Sequence, residues 1–168
     1  MKLVQTPELK WIDLAKSFIG LQEVKGKSHN PNILKWIKEL GGWWTNDEEA
    51  WCGTFVGYCL KESGLPYPKN WFRALDYQTI GVKLDAPAYG CIGVKSRKGG
   101  GHVTFIIGRN PNTGKLYGLG GNQNDQVNIA QFNESDFVAF IWPSKFPKQE
   151  RFQLPEDVFT SISNVRES

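Results

Sequence analysis

The stretch that decides the fold reads His-Val-Thr-Phe-Ile-Ile-Gly at residues 102–108. Its side chains alternate between two faces, Val103, Phe105 and Ile107 on one and His102, Thr104 and Ile106 on the other. A period of two predicts a β-strand. The turn-forming residues 110–114 then return the chain as a strand over 115–119. Similar patterns predict strands around 91–96, 127–132 and 138–142, so the second half of the chain is expected to form an antiparallel sheet.

The first half has the three- and four-residue apolar spacing of helices. Asn30-Pro31 is typical of a helix start and Gly41-Gly42 of its end. Other helices are predicted from Thr6-Pro7 to Gly20, over 50–63 with Thr45 and Glu48 as a capping box, and after Asn70 as a short fourth helix. Helices first and antiparallel strands second predict an α+β fold.

Length and composition indicate one globular domain. The chain has 168 residues, of which 40% are hydrophobic and 22% charged, so a mainly disordered chain, a coiled coil and a collagen-like repeat are excluded. Residues 1–144 are predicted to form the domain. Residues 145–168 are polar and punctuated by proline, and are predicted to be an appendage of uncertain order. Oligomeric state has no sequence signal, and we expect a monomer.

Charge and hydropathy limit the kinds of partner that the chain is expected to bind. Twenty basic and 17 acidic residues give a net charge of +3, which is too balanced to indicate nucleic acid binding. No apolar run approaches the ~18 residues of a membrane span. Charged residues interrupt the segment 1–20, so we expect no signal peptide there.

The segment Trp51-Cys52-Gly53-Thr54 holds the first candidate catalytic residue. Cys52 falls in the first turn of an apolar helix, where free amides and the helix dipole favour a thiolate. The alternative is a buried, inert cysteine. Cys59 and Cys91 are the other two cysteines, and free thiols are the expectation for a chain without an export signal.

Two later segments supply a candidate base and its partner. His102 follows the glycine-rich run 99–101 and opens a strand, which places an imidazole at the sheet margin. Asn122 ends the strand expected to pair with it, and a neutral amide there can accept the imidazole N–H and fix its tautomer. Gln123 and Asn124 are further candidates for that role. Cys, His and a polar residue in this order are typical of thiol acyl transfer.

Two metal sites are weaker alternatives. Cys52, Cys59, Cys91 and His102 have the ligand types for zinc but lack its usual short spacings. The acidic run Asp47-Glu48-Glu49 has ligand types for calcium, although negative charge at a helix start explains it more simply. His29 sits in a polar turn and is interpreted as a solvated residue. We therefore expect no metal and no cofactor.

These motifs carry a family resemblance over residues 9–143. The segments 47–56, 101–103 and 119–123 resemble the CHAP-type and NlpC-type cysteine amidase/peptidases, in particular a small phage and bacterial subgroup with WC, GHV and LGGNQ motifs. The resemblance implies a papain-like α+β fold with helices packed on an antiparallel sheet. It implies Cys52 as nucleophile, His102 as base and then acid, and Asn122 as the orienting residue. The Cys52 backbone N–H is expected among the oxyanion donors, and Trp51, Gly101 and Gln123 are expected to contact substrate.

The function implied is hydrolysis of an amide bond in peptidoglycan, either as an N-acetylmuramoyl-L-alanine amidase or as a stem-peptide endopeptidase. Without a signal peptide, such an enzyme is expected to be made in the bacterial cytoplasm and to act on the wall. A phage endolysin released through a holin fits this, and so does a secreted effector toxin with a cognate immunity protein. The alternatives are a non-catalytic wall-binding module and a thiol protease acting on protein.

Overall fold

The computed structural model describes residues 8–24, 30–43, 51–144 and 154–156. Helices come first in the chain: α1 spans Lys10–Ser17, α2 spans Pro31–Glu39 and α3 spans Cys52–Glu62. A 3₁₀ helix at Ala74–Thr79 leads into the sheet. The strands are β1 (Val82–Leu84), β2 (Ile92–Arg97), β3 (Gly100–Arg109), β4 (Leu116–Gln123), β5 (Gln126–Phe132) and β6 (Phe137–Trp142), with a second 3₁₀ helix at Glu134–Asp136.

All the strand pairs are antiparallel, in the order β1-β6-β2-β3-β4-β5. The prediction of an α+β fold is therefore confirmed. The segment after α1 lies along the outer edge of β5. There Gly20 N–H donates to Val127 O (2.8 Å) and Val127 N–H donates to Leu21 O (2.8 Å). Because these bonds cover the edge strand, they satisfy backbone groups that are otherwise open to pairing.

Helix α3 is the centre of the core. Each of its residues from Cys52 to Leu60 is buried, because β3 and β4 pack against one side while α1 and α2 pack against another. A helix that is apolar all round requires such enclosure. The start of α3 is thereby fixed against the middle of the sheet.

Several predicted boundaries are confirmed. Asn30 caps α2 by accepting a bond from the Asn32 N–H, and Pro31 is its first residue. Gly64, predicted to end α3, has a φ of 73°, which suits glycine after a helix. The start signals at Thr6-Pro7, Thr45 and Glu48 lie outside the described residues.

One prediction of secondary structure is wrong, and one element was not predicted. The fourth helix does not begin at Asn70, whose side chain donates to Asp76 Oδ2; a 3₁₀ helix begins four residues later. Strand β1 was not predicted, because its three residues are too few to show a period of two. It exists by pairing with β6.

The end of the chain touches the domain at one described point. Arg109 N–H donates to Pro155 O (3.0 Å), and Leu154 packs against the core. No helix within the described ranges is long and apolar enough to cross a membrane.

Candidate active site

Cys52 is the first residue of α3, and its surroundings hold it in place. The Tyr77 hydroxyl shares its proton between Gly53 O (2.6 Å) and Trp71 O (2.9 Å). A Cβ at Gly53 would collide with Trp71 O, so glycine is required for this close approach. The backbone around the thiol is therefore clamped to the segment that leads into the 3₁₀ helix.

Strands β3 and β4 separate beside Cys52. Their pairing begins at Phe105↔Leu119, so Val103 has no partner on β4. Ile106 N–H and C=O both bond toward the β2 side, and the alternation of a strand turns the Val103 N–H toward β4. This N–H is one of the backbone groups that lower the pKa of the Cys52 thiol. The thiol therefore lies close to Val103, the residue that follows His102 on β3.

His102 is held by a network at the end of β4. Its Nε2 lies 3.0 Å from Gln123 Oε1. Gln123 Nε2 donates to Gly118 O (3.1 Å), Asn128 O (2.9 Å) and Asn128 Oδ1 (2.9 Å). Since all three of these groups are acceptors, the amide is oriented with its oxygen toward the imidazole.

This network fixes the tautomer of His102. An amide oxygen only accepts, so Nε2 carries the proton in the neutral ring and Nδ1 keeps its lone pair. Nδ1 is the ring nitrogen nearer the backbone, and Nε2 reaches across to β4. Among the described residues, no hydrogen bond joins the Cys52 thiol and the His102 imidazole, and contacts between catalytic groups often tighten only when substrate binds.

The partner of His102 is thus Gln123, whereas the sequence analysis placed Asn122 first in that role. The reason is a β-bulge. Gly120 pairs with Asn128 and Gln123 pairs with Gln126, so two residues of β4 oppose one of β5. Asn122 has a φ of 57° and takes up the extra residue. A bulge reverses the alternation of side chains, which turns Gln123 onto the face of His102.

Burial dominates the titration of both groups. It raises the pKa of the Cys52 thiol, although the N–H groups of Val103 and Gly53 and the charge of Arg97 lower that pKa. It lowers the pKa of His102, with the charges of Arg97 and Lys95 acting in the same direction and the Gln123 bond opposing them. The resting site therefore holds a neutral thiol and a neutral imidazole.

Two residues expected to contact substrate have packing roles. Trp51 is only 1% exposed, and a Cβ at Gly121 would lie 2.7 Å from its ring. The indole is therefore core, beneath the bulge. A Cβ at Gly101 would lie 2.7 Å from Lys95 O and 2.9 Å from Leu75, so this glycine permits close packing. Neither residue lines the cavity described next.

A cavity of about 230 Å³ opens beside His102 on the sheet face opposite α3. It is lined by Lys95 and Arg97 of β2, His102 of β3, residues 122–124 at the end of β4, and Ala130 and Phe132 of β5. Phe132 stacks on His102 with ring centroids 5.7 Å apart. Lys95 and Arg97 were not predicted from the sequence as site residues. The available signal was that they occupy alternate positions just before the glycine-rich run 99–101.

The described residues provide no support for a metal site. Within the described ranges, no three His, Cys, Asp or Glu residues lie close enough to hold a metal ion. Cys59 and Cys91 are fully buried and separate free thiols. The acidic run 47–49 and His29 lie outside the described residues.

Comparison with protein-family models, with curated proteins and with solved structures finds no match to this chain.

Proposed function

We propose that this chain is a cysteine-dependent hydrolase of amide bonds with a papain-like arrangement, and that its substrate is peptidoglycan. One observation carries the catalytic part. Gln123 is locked by Asn128 so that its oxygen faces His102 Nε2, which leaves Nδ1 free to act as a base, and the Cys52 thiol lies close to Val103, the next residue of β3. A thiol, a base and an orienting amide are the groups that acyl transfer requires.

In the proposed mechanism, His102 Nδ1 takes the thiol proton as Sγ attacks the amide carbonyl carbon. A C–S bond forms, and the carbonyl becomes an oxyanion near the amides at the start of α3. His102 then returns the proton to the departing nitrogen, and the C–N bond breaks to leave a thioester. Water then adds to the thioester carbon as His102 Nδ1 removes its proton. The C–S bond breaks, the acid is released, and His102 returns the proton to the sulfur, which restores the thiol.

Gln123 supports both directions of proton transfer. Its oxygen accepts from Nε2 in the neutral ring and stabilises the imidazolium that forms in each half-reaction. Because both groups rest in the neutral state, proton transfer accompanies attack and no preformed ion pair is needed.

The choice of peptidoglycan rests on the resemblance of the 47–56, 101–103 and 119–123 motifs to wall amidases, since the cavity does not identify a wall fragment. Delivery through a holin, or pairing with an immunity protein, is part of the same proposal.

The test is incubation of purified peptidoglycan with the wild-type chain and with Cys52→Ala, followed by mass spectrometry of the soluble fragments. We expect new amines without new reducing sugar from the wild type, and none from Cys52→Ala. The matched control is Cys59→Ala, which removes a buried thiol outside the site and should retain cleavage. The fragment masses identify the bond.

Other outcomes separate the rival functions. Equal release by the wild type and Cys52→Ala contradicts thiol catalysis. Binding to peptidoglycan without cleavage by either chain supports the wall-binding module. Cleavage of denatured casein but not of peptidoglycan supports a thiol protease acting on protein.

A further inference from the structure

The cavity beside His102 has an uncompensated positive charge. Lys95 and Arg97 are two residues apart on β2 and point to the same face, and Lys95 is the direct cross-strand neighbour of His102. None of the eight lining residues is acidic. No carboxylate of the described residues forms an ion pair with either cation.

The two cations are also positioned near the reacting groups. Lys95 Nζ lies over the Phe132 ring, 5.1 Å from its centroid, and Phe132 in turn stacks on His102. The charge of Arg97 acts on both Cys52 and His102. An anion bound between these cations would therefore lie beside the His102 ring.

The remaining lining fits a carboxylate carried on a short chain. Asn122, Gln123 and Asn124 add amide groups at one wall, and Ala130 and Phe132 form an apolar floor. A cavity of about 230 Å³ accommodates a side chain as well as its charged group. Guanidinium and ammonium groups with nearby amides are the usual partners of a carboxylate.

We propose that this cavity binds a carboxylate of the substrate between Lys95 and Arg97, so that the enzyme selects an amide bond close to a free carboxylate. The inference rests on the hydrolase function proposed above and adds its substrate class. Lys95 and Arg97 are specificity residues in this proposal, and the proton transfers remain with His102.

The experiment uses soluble peptidoglycan fragments released by a muramidase. One sample keeps its free carboxylates, and the other is amidated with ammonia and a carbodiimide. We expect the wild-type chain to cleave the free-carboxylate sample with a kcat/KM about 10- to 100-fold higher. Arg97→Gln and Lys95→Gln should lose most of that preference. Lys98→Gln, a neighbouring exposed cation outside the cavity, should keep it.

Two results would overturn the proposal. If the wild type cleaves both samples equally, the proposed recognition of a carboxylate is wrong, although the hydrolase function is still supported. If Arg97→Gln slows both samples equally, the cations tune the catalytic groups and do not recognise substrate. Arg97→Lys, which keeps the charge, should retain part of the preference, and this separates recognition from a folding defect.

A binding measurement keeps the two proposals distinguishable. Calorimetry with the Cys52→Ala chain compares the affinity for the same two samples in the absence of turnover. Tighter binding of the free-carboxylate sample, lost in Cys52→Ala/Arg97→Gln, supports the site even if the wild type cleaves neither sample. Equal affinity for the two samples overturns it.

Discussion

The three cysteines differ in what reaches their sulfur atoms. Cys59 and Cys91 are fully buried, and burial raises the pKa of Cys91 to about 12. Cys52 is also buried, but it opens α3, where three backbone N–H groups and the charge of Arg97 lower its pKa against the effect of burial. Of the three thiols, Cys52 has the largest set of groups that favour its charged form.

Alkylation should therefore be selective in the folded protein. With iodoacetamide we expect modification of Cys52 alone, at a rate that rises with pH above 8 because its pKa is raised. Peptide mapping by mass spectrometry checks the position. Cys52→Ala should remain unmodified when folded and take up two labels in urea. Modification of folded Cys59 or Cys91 would contradict this assignment.

The acid limit of activity should report His102. The proposed mechanism needs its Nδ1 unprotonated, and burial with the nearby cations lowers its pKa below the ordinary 6.5. Protonation then requires more acid, so kcat/KM should stay high as pH falls to 6.5 and decline only below it. Arg97→Gln removes a positive charge that lowers the His102 pKa, so the acid limb of the profile should move to higher pH. Lys98→Gln should leave the limb in place. An acid limb above 6.5 in the wild type would argue against this base.

At the residue scale, the sequence placed Asn122 ahead of Gln123 as the partner of His102, and the structure reverses that order. Alternation along β4 places Gly118, Gly120 and Asn122 on one face, which favours Asn122. The bulge at 121–122 shifts the alternation by one residue, so Gln123 takes the face expected for Asn122. The bulge depends on tertiary packing, because Gly121 lies against Phe55 and Trp51. A glycine pair next to an asparagine is compatible with a bulge, but it does not specify one.

At the element scale, the start of α3 depends on a single hydroxyl. Tyr77→Phe removes the bonds to Gly53 O and Trp71 O, which hold the start of α3 against the segment that leads into the 3₁₀ helix. We expect the free energy of unfolding to fall by about 1–3 kcal/mol, with slower cleavage because Gly53 adjoins Cys52. Urea denaturation measures the change in the free energy of unfolding.

Tyr117→Phe is the matched control for that change. Tyr117 is fully buried too, but its hydroxyl has no hydrogen-bond partner among the described residues. Removing an unsatisfied group should leave stability unchanged or raise it slightly. Equal losses in the two variants would show that the Tyr77 bonds contribute nothing specific.

The β4–β5 hairpin positions the base through Asn128. Its side chain accepts from Gln123 Nε2 and donates to Gln123 O (2.9 Å), so Asn128→Ala frees the amide that orients His102. We expect kcat to fall about tenfold with little change in KM, because the residue contacts no substrate. The pH profile gives a second readout, since a reoriented amide weakens the bond that raises the His102 pKa. Asn112→Ala, in an exposed turn, is the control.

The elements themselves follow the local sequence where caps and periods are strong. Asn30-Pro31 and the alternation at 102–108 each predicted an element correctly. Strand β1 and the 3₁₀ helix at Ala74–Thr79 depend on partners far along the chain, β6 for the first and the start of α3 for the second. Such long-range contacts produce no periodic pattern within an element of only three to six residues, so the local sequence does not predict these elements.

At the scale of the whole molecule, the described end of the chain lies far from the site. Pro155 bonds Arg109 at one end of β3, whereas His102 is near the other end. The two residues are seven steps apart along the strand, roughly 23 Å. The contacts of Leu154 and Pro155 therefore support the fold at the end of β3 away from His102.

Truncation after residue 144 should separate stability from catalysis. The shortened chain loses the Arg109–Pro155 hydrogen bond and the packing of Leu154, which together are worth about 2 kcal/mol. Urea unfolding should report this loss while kcat/KM on peptidoglycan fragments stays within about twofold at 25 °C. Leu154→Ala should reproduce part of the effect, and Val138→Ala, an exposed apolar truncation, should not. A large loss of kcat/KM without a loss of stability would place residues 145–168 in substrate binding, and the functional domain would then extend past residue 144.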